Sequence, residues 1–321
     1  MERPSFPVQG ERLRWTALPE KVRKGVEQLL GGTVVRAESH SGGFSPGCAT
    51  RVDLEDGSRF FVKAAGPLPN SDTPEIHRAE AKIAAALPSL RFVPKFLGKY
   101  DDGTWVALAY DYIDGHSPRI PWRREELDRV LVALEDLSRI LTPSPINAPR
   151  IEQKHVPFLQ GWRKTLRERT ETDHALSGLD PWVERNLSRL ARLETGWPDA
   201  ARGTTLLHAD VRADNVILTP EGVFFVDWPW ACIGAPWIDL MAMLPSVQMQ
   251  GGPPPWEVFD KHPVAQGASA EQVTVYLAAL TGFFIHSSRR PPLPGLPTLR
   301  SFQQAQGLRA IEWLKRRTKW E

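Results

Sequence analysis

The chain predicts an α+β fold in two lobes, a small antiparallel-sheet lobe followed by a mostly helical one, and three observations carry this. Up to about residue 112, short β-branched and aromatic runs alternate with Gly- and Asp-bearing turns. Beyond it, apolar residues recur at helical spacing. Between the two, Thr104 to Pro118 passes from a strand into a Gly- and Pro-containing segment that reads as a hinge. The expected division is 1–111 for an N-terminal lobe and 112–321 for a C-terminal lobe, and 321 residues are enough to bury two cores.

The first element is a short helix from Pro19 to Leu30, with Val22, Val26 and Leu29 or Leu30 on one face and Gly31-Gly32 ending it. Three strand-like runs follow, Thr33–Ala37, Ala49–Leu54 and Arg59–Ala64, the last two joined by the hairpin signal Glu55-Asp56-Gly57. The link between the first two, His40 to Gly47 (HSGGFSPG), has glycines that let backbone N–H groups approach a phosphate without Cβ obstruction. Lys63 stands inside the third run among apolar neighbours, where an unpaired ammonium costs several kcal/mol. The next segment, Pro74 to Leu87, reads as a helix with Ile76, Ala79, Ile83 and Leu87 on its apolar face and Glu80 beside it. A Lys63–Glu80 ion pair is therefore expected. Strands at Val93–Lys99 and Thr104–Tyr112 complete a five-stranded sheet. Adenine would be read at the hinge by backbone groups near Asp111 to Ile113.

After the hinge, Leu127, Val130, Leu131, Leu134, Leu137 and Leu141 form a helical stripe that Thr142-Pro143-Ser144-Pro145 ends. Further helices are expected at Leu159–Thr170, Pro181–Leu193, Trp237–Gln248, Ala270–Ile285 and Leu299–Arg317. The Gly-Gly-Pro-Pro-Pro run at 251–255 and Arg-Arg-Pro-Pro at 289–292 read as loops.

Composition narrows the partners. A formal net charge of +2, with both signs interspersed, argues against a nucleic-acid surface and against a membrane-surface helix. The start MERPSFPVQGERLRW has charges and prolines where a signal peptide needs an apolar core, and no later run is long and apolar enough to span a bilayer. A soluble, intracellular, cytoplasmic protein is expected. Cys48 and Cys232 have no paired spacing and read as free buried thiols. Most of the 12 Trp are expected to fill core space, with a minority lining a ligand pocket.

The densest information lies between Leu206 and Leu240. His208, Asp210 and Asn215 read as His-x-Asp-x-x-x-x-Asn, and Asp227 follows a short apolar run twelve residues after Asn215. At average residue usage, four fixed residues at fixed spacing arise by chance in roughly one chain in a thousand of this length. Phosphoryl transfer needs a carboxylate to take the proton of an attacking hydroxyl, and a carboxylate with a carboxamide oxygen to hold Mg2+ against phosphates. This order is that of the kinase catalytic loop followed by the metal-binding Asp at a strand end.

On HADVRADN (208–215), VDWPWACIGAPWIDL (226–240), Lys63, Glu80 and YDYIDG (110–115), the chain resembles the aminoglycoside phosphotransferase and choline kinase family, which shares the bilobal protein-kinase-like fold. The resemblance implies an ATP-dependent O-phosphotransferase. It makes Asp210 the catalytic base and Asn215 and Asp227 the Mg2+ ligands. Lys63 would contact the α and β phosphates, oriented by Glu80, and the Gly42–Gly47 loop, with Gly43 and Ser45, would cover the triphosphate. His208 would buttress the loop, and Asp239 would bind backbone N–H groups behind it.

The chain departs from the family pattern at Trp228-Pro229-Trp230 and at Arg212-Ala213-Asp214, both where an acceptor approaches. Eleven residues separate Asp227 from Asp239 and no Ala-Pro-Glu follows, which excludes a peptide-binding platform and favours a small-molecule hydroxyl acceptor, an antibiotic such as an aminoglycoside or a metabolite. Between Met241 and Arg300 the only acids are Glu257, Asp260 and Glu271, which does not look like a polycation trap, although Asp210, Asp214 and the acids from Glu125 to Asp136 could supply one. Trp228, Trp230, Trp237 and Trp256 would suit stacking on a sugar or base, or packing between helices. The rival reading is a catalytically silent nucleotide-binding protein on the same fold.

Overall fold

The computed structural model describes residues 10–40, 42–171 and 178–321. Residues 1–9, part of the charged and proline-bearing start, and Ser41 of the Gly-rich link lie outside them. The first helix, α1 (Glu20–Leu30), ends at Gly31, whose φ of 78° is the left-handed conformation a helix C-terminus favours. Strands β1 (Val34–Ser39), β2 (Cys48–Leu54) and β3 (Arg59–Ala65) form an antiparallel meander. Helix α2 (Thr73–Ala86) follows, then β4 (Phe96–Asp101) and β5 (Val106–Asp111). The sheet order is β1-β2-β3-β5-β4, so β5 inserts beside β3 and Lys63 pairs with Leu108.

Alternation along β3 and β5 sends Val62, Ala64 and Ala107 into a core with Val22 and Val26 of α1, and Leu108 and Tyr110 to the other face with Ala81 of α2. Lys63 shares that second face. The two later strands begin further along than the sequence predicted, for local reasons. Pro94 has no N–H to pair, so β4 starts at Phe96 rather than Val93. Asp102 Oδ1 takes the N–H groups of Thr104 (3.0 Å) and Trp105 (2.7 Å), and this turn holds both residues out of β5.

The helical part opens with α3 (Arg124–Ile140), followed by α4 (Ile151–Lys154), α5 (Gly161–Glu171), α6 (Pro181–Glu194) and α7 (Trp197–Ala200). Short strands β6 (Thr205–Leu207), β7 (Val216–Leu218), β8 (Val223–Phe225) and β9 (Cys232–Gly234) come next, pairing β6 with β9 and β7 with β8. Helices α8 (Ile238–Met249), α9 (Pro255–Phe259), α10 (Ala270–Ser288) and α11 (Leu299–Thr318) complete the chain. The Pro-rich run expected to be all loop ends in α9, because Pro255 stands at the first helical position, where its missing N–H costs nothing. Helices α3, α5, α6, α8, α10 and α11 surround one large core that includes Leu134, Trp162, Leu187, Leu244, Leu277 and Trp313. Both cysteines are free and buried, as expected. No helix among the described residues is long and apolar enough to cross a membrane.

Candidate active site

The loop 208–215 is strung between β6 and β7, and Asp227 follows β8. Antiparallel pairing of Val216 with Phe225, extended by the Val226 N–H to Asn215 C=O bond (3.0 Å), brings Asn215 beside Asp227. The twelve-residue spacing in the sequence is thus one hairpin long. Ala209 (φ 63°) and Asp227 (φ 70°) both adopt the left-handed conformation, which disfavours residues with a Cβ. At Ala209 the cause is visible. The buried Asp239 carboxylate accepts the successive N–H groups of His208 (2.8 Å) and Ala209 (2.7 Å), a turn that requires this backbone geometry. Burial raises the Asp239 carboxyl to about 6, against those two hydrogen bonds.

His208 is fully buried, and burial lowers its imidazole to about 4, so it is neutral. Its Nε2 lies 2.9 Å from the Val226 carbonyl and its Nδ1 3.2 Å from the Asp210 N–H. A carbonyl can only accept, so the proton sits on Nε2 and Nδ1 accepts from Asp210. His208 is therefore a strut between the loop and the segment carrying Asp227.

Asp210 is held from both sides. Arg212 Nη1 donates to Oδ1 (2.6 Å), and Asn215 Nδ2 donates to Oδ2 (3.2 Å) and to the Asp210 carbonyl (2.9 Å). Arg212 also forks onto both oxygens of Asp214 (3.0 and 2.8 Å) and lies over the rings of Phe44 and Phe302. Burial pushes the Asp210 carboxyl up to about 7, Arg212 pulls it down, and Asp214 and Asp227 add to the rise. A carboxylate in this range can accept a proton near neutral pH.

Lys63 Nζ meets Glu80 Oε2 at 2.8 Å, the expected pair, and also Asp227 Oδ1 at 2.6 Å. Burial alone would lower the ammonium, but Asp227 and Glu80 outweigh it and the net direction is up. The two carboxylates respond oppositely. Glu80, almost wholly enclosed, is raised by burial; the more open Asp227 is held well below the usual range by Lys63 despite its own desolvation. Tyr110 Oη donates to Glu80 Oε1 (2.8 Å), fixing α2 to β5.

A cavity of about 470 Å3 lies between the sheet and this hairpin. Gly42, Gly43, Ser45, Lys63, Glu80, Asp111, Ile113, Asn215 and Asp227 all line it. Asp210 is not in its wall, although it is bonded to Asn215, which is. The hinge is pinned to β7 by paired bonds between His116 and Leu218 (3.1 and 2.8 Å), while Ile113 has no backbone hydrogen-bond partner among the described residues. Arg12, His77 and Trp228 also face the cavity. Sequence reasoning missed Arg12 and His77: neither stands in a motif.

The four tryptophans considered for stacking serve mainly as packing. Trp228 donates Nε1–H to the Phe225 carbonyl (2.9 Å) with its ring 4.6 Å from His208. Trp230 meets Phe158, Trp237 meets Tyr276, and Trp256 lies under Arg316. Only Trp228 of the four reaches the cavity wall.

Comparison with known proteins agrees with this geometry. The profile of the phosphotransferase enzyme family matches residues 37–280, and the chain belongs to that family. Two solved structures share its bilobal protein-kinase-like fold. A choline/ethanolamine kinase family protein from Mesorhizobium loti superposes with a TM-score of 0.56 at 15% identity, over 94% of this chain and 97% of the other. The gentamicin–APH(2")-IIa complex superposes with a TM-score of 0.51 at 14% identity, over 92% and 96%. At these identities the likeness is one of fold. No curated protein sequence matches the chain.

Proposed function

We propose that the protein is an ATP-dependent O-phosphotransferase that moves the γ-phosphate to a hydroxyl of a small molecule in the cytoplasm. The observation that carries this reading is the convergence of Lys63, Asn215 and Asp227 on one cavity, with Asp210 bonded to Asn215 at its edge. The nucleotide lobe is residues 1–111 and the helical lobe 112–321.

The donor set fits Mg2+. Asn215 donates through Nδ2, and no described residue donates to its Oδ1 or to Asp227 Oδ2, leaving two oxygens for a cation. No cluster of three or more His, Cys, Asp or Glu suited to a metal occurs among the described residues. Mg2+ suits this sparse set, since it is commonly held by one or two protein oxygens together with phosphates and water. Bound there, it would neutralise charge on the transferred phosphoryl group. ATP fits the cavity in kind as well: Ala49, Phe61, Ile217 and Val226 give apolar walls for a flat base, and Ile113 offers free backbone groups at the hinge.

The remaining chemistry belongs to the chain. Lys63 would hold the α and β phosphates, oriented by its bond to Glu80. The loop with Gly42, Gly43 and Ser45 covers them. Asp210 would take the proton from the acceptor hydroxyl as its oxygen bonds to the γ-phosphorus and the bond from that phosphorus to the bridging oxygen breaks, releasing ADP, and Arg212 would fix the carboxylate for that step. Asp214 has both oxygens engaged by Arg212, which favours a metabolite or an antibiotic with few ammonium groups over a polycationic aminoglycoside. The test is an acceptor panel incubated with Mg2+-ATP and read by mass spectrometry for a phosphate-sized gain. A folded, ATP-binding protein that phosphorylates nothing on a broad panel of hydroxyl compounds would count against catalysis.

A further inference from the structure

Residues 10–13 lie ahead of the region matched by the family profile, yet they carry Arg12 into the cavity wall. Leu13 N–H donates to Gly47 C=O and Gly47 N–H to Glu11 C=O (both 3.0 Å), making a parallel bridge between Arg12 and the end of the Gly-rich link. On the other side, Glu11 N–H donates to Gly295 C=O (3.0 Å) in the loop before α11. Extended backbone alternates its side chains. Leu13 packs on the core beneath α1, and Arg12 faces the cavity.

There its guanidinium donates to the carbonyls of Ser45 and Gly42, and to that of Gly43 at 3.4 Å. Gly43 permits this. Its φ is 97°, and a Cβ there would stand 2.7 Å from Arg12 Nη2. Carbonyls satisfy donors but bring no counter-charge. No carboxylate of the described residues lies within ion-pair distance of Arg12, and its Nε is buried without a hydrogen-bond partner. His77, 2% exposed, stands in the same wall; burial and Lys63 lower its imidazole to about 3, so it is neutral and adds no charge of its own. By contrast, Lys63 already has two carboxylates. Asp227 and Asp214 draw on Arg12 only from beyond ion-pair distance, and burial still outweighs them, so a mostly enclosed guanidinium under the Gly-rich loop is left to be neutralised by an anionic ligand.

We propose that Arg12 is a second cationic residue of the nucleotide site, binding the phosphate chain from the segment ahead of the sheet, with the buried His77 beside it. This rests on the ATP reading above. The experiment is calorimetric titration of the full chain and its Arg12→Gln and Arg12→Lys variants with ATP, ADP and adenosine, Mg2+ present. Gln can donate to the loop carbonyls but carries no charge; Lys keeps the charge without the fork. The expected result is that Arg12→Gln weakens ATP about tenfold or more, the range of a charge-assisted hydrogen bond, weakens ADP less and leaves adenosine unchanged, while Arg12→Lys keeps most of the ATP affinity. Unchanged adenosine binding also reports an intact pocket. If Arg12→Gln binds ATP as tightly as the wild type, or Arg12→Lys loses as much as Arg12→Gln, Arg12 only shapes the loop and the assignment falls. A wild-type chain that binds adenosine but shows no preference for ATP overturns the nucleotide reading itself, and this assignment with it.

Discussion

Ala209 holds a left-handed turn that a Cβ disfavours, and it does so because Asp239 needs two successive N–H groups aimed at it. Replacing Ala209 with Gly removes a conformational cost of about 1–2 kcal/mol and adds an unfolded-state entropy penalty of about 0.5–1 kcal/mol, so a net gain of about 0.5–1 kcal/mol is expected. Urea unfolding checks it, and a less stable Ala209→Gly protein would mean the turn carries no strain. Asp210 offers a second test. Its carboxyl is raised by burial to about 7, so the accepting, ionised form is lost as pH falls through that region. Log kcat/KM should therefore drop with a slope near one on the acid side, at or somewhat below pH 7 because a Mg2+ ion held by Asn215 and Asp227 would favour the carboxylate. Arg212 stabilises the ionised form, so Arg212→Gln should move that limb to higher pH. A profile flat from about pH 5 to 8, in both proteins, would remove Asp210 from the role of base.

At the scale of elements, helix ends and close crossings decide which parts move together. Helix α5 starts with the N–H groups of Trp162 and Arg163 donating to the fully buried Glu194 at the end of α6 (both 3.0 Å). Gly161 permits the close approach of α10, since a Cβ there would stand 1.9 Å from the Gly282 carbonyl. Glu194→Ala leaves two enclosed donors unpaired and should cost about 2–4 kcal/mol, read by chemical denaturation; a loss under about 1 kcal/mol would show that water replaces the carboxylate freely. Part of the fold was legible in the sequence: the apolar stripe of α3 follows from spacing, and the Lys63–Glu80 pairing across β3 and α2 follows from an ammonium set among apolar neighbours, which needs a counter-charge. The strand starts were not, because Pro94 and the Asp102 turn act through single backbone groups. The three-residue strands β6 to β9 are too short to show any period, although they set the geometry of the loop they frame.

Across the whole molecule, the site is a product of separate pieces. The sheet brings Lys63, α2 brings Glu80, the β7–β8 hairpin brings Asn215 to Asp227, and residues 10–13 bring Arg12. The central motif was readable because its spacing is one hairpin long. Arg12 was unreadable because its flanking residues are held by distant loops, Glu11 by Gly295 and Gly47, and Leu13 by Gly47, and no periodicity links them. The residue type of Trp228, Trp230, Trp237 and Trp256 is compatible with stacking and with packing, and contacts such as Trp237 with Tyr276 decided for packing. The most direct test of phosphoryl transfer by this site is to measure ATP affinity and turnover together, with the acceptor found by the Mg2+-ATP panel, for the wild type and Asp210→Asn. The expected result is a kcat lower by about 100-fold or more with the Kd for ATP unchanged, as befits loss of a general base. An Asp210→Asn protein that turns over at nearly the wild-type rate would contradict it.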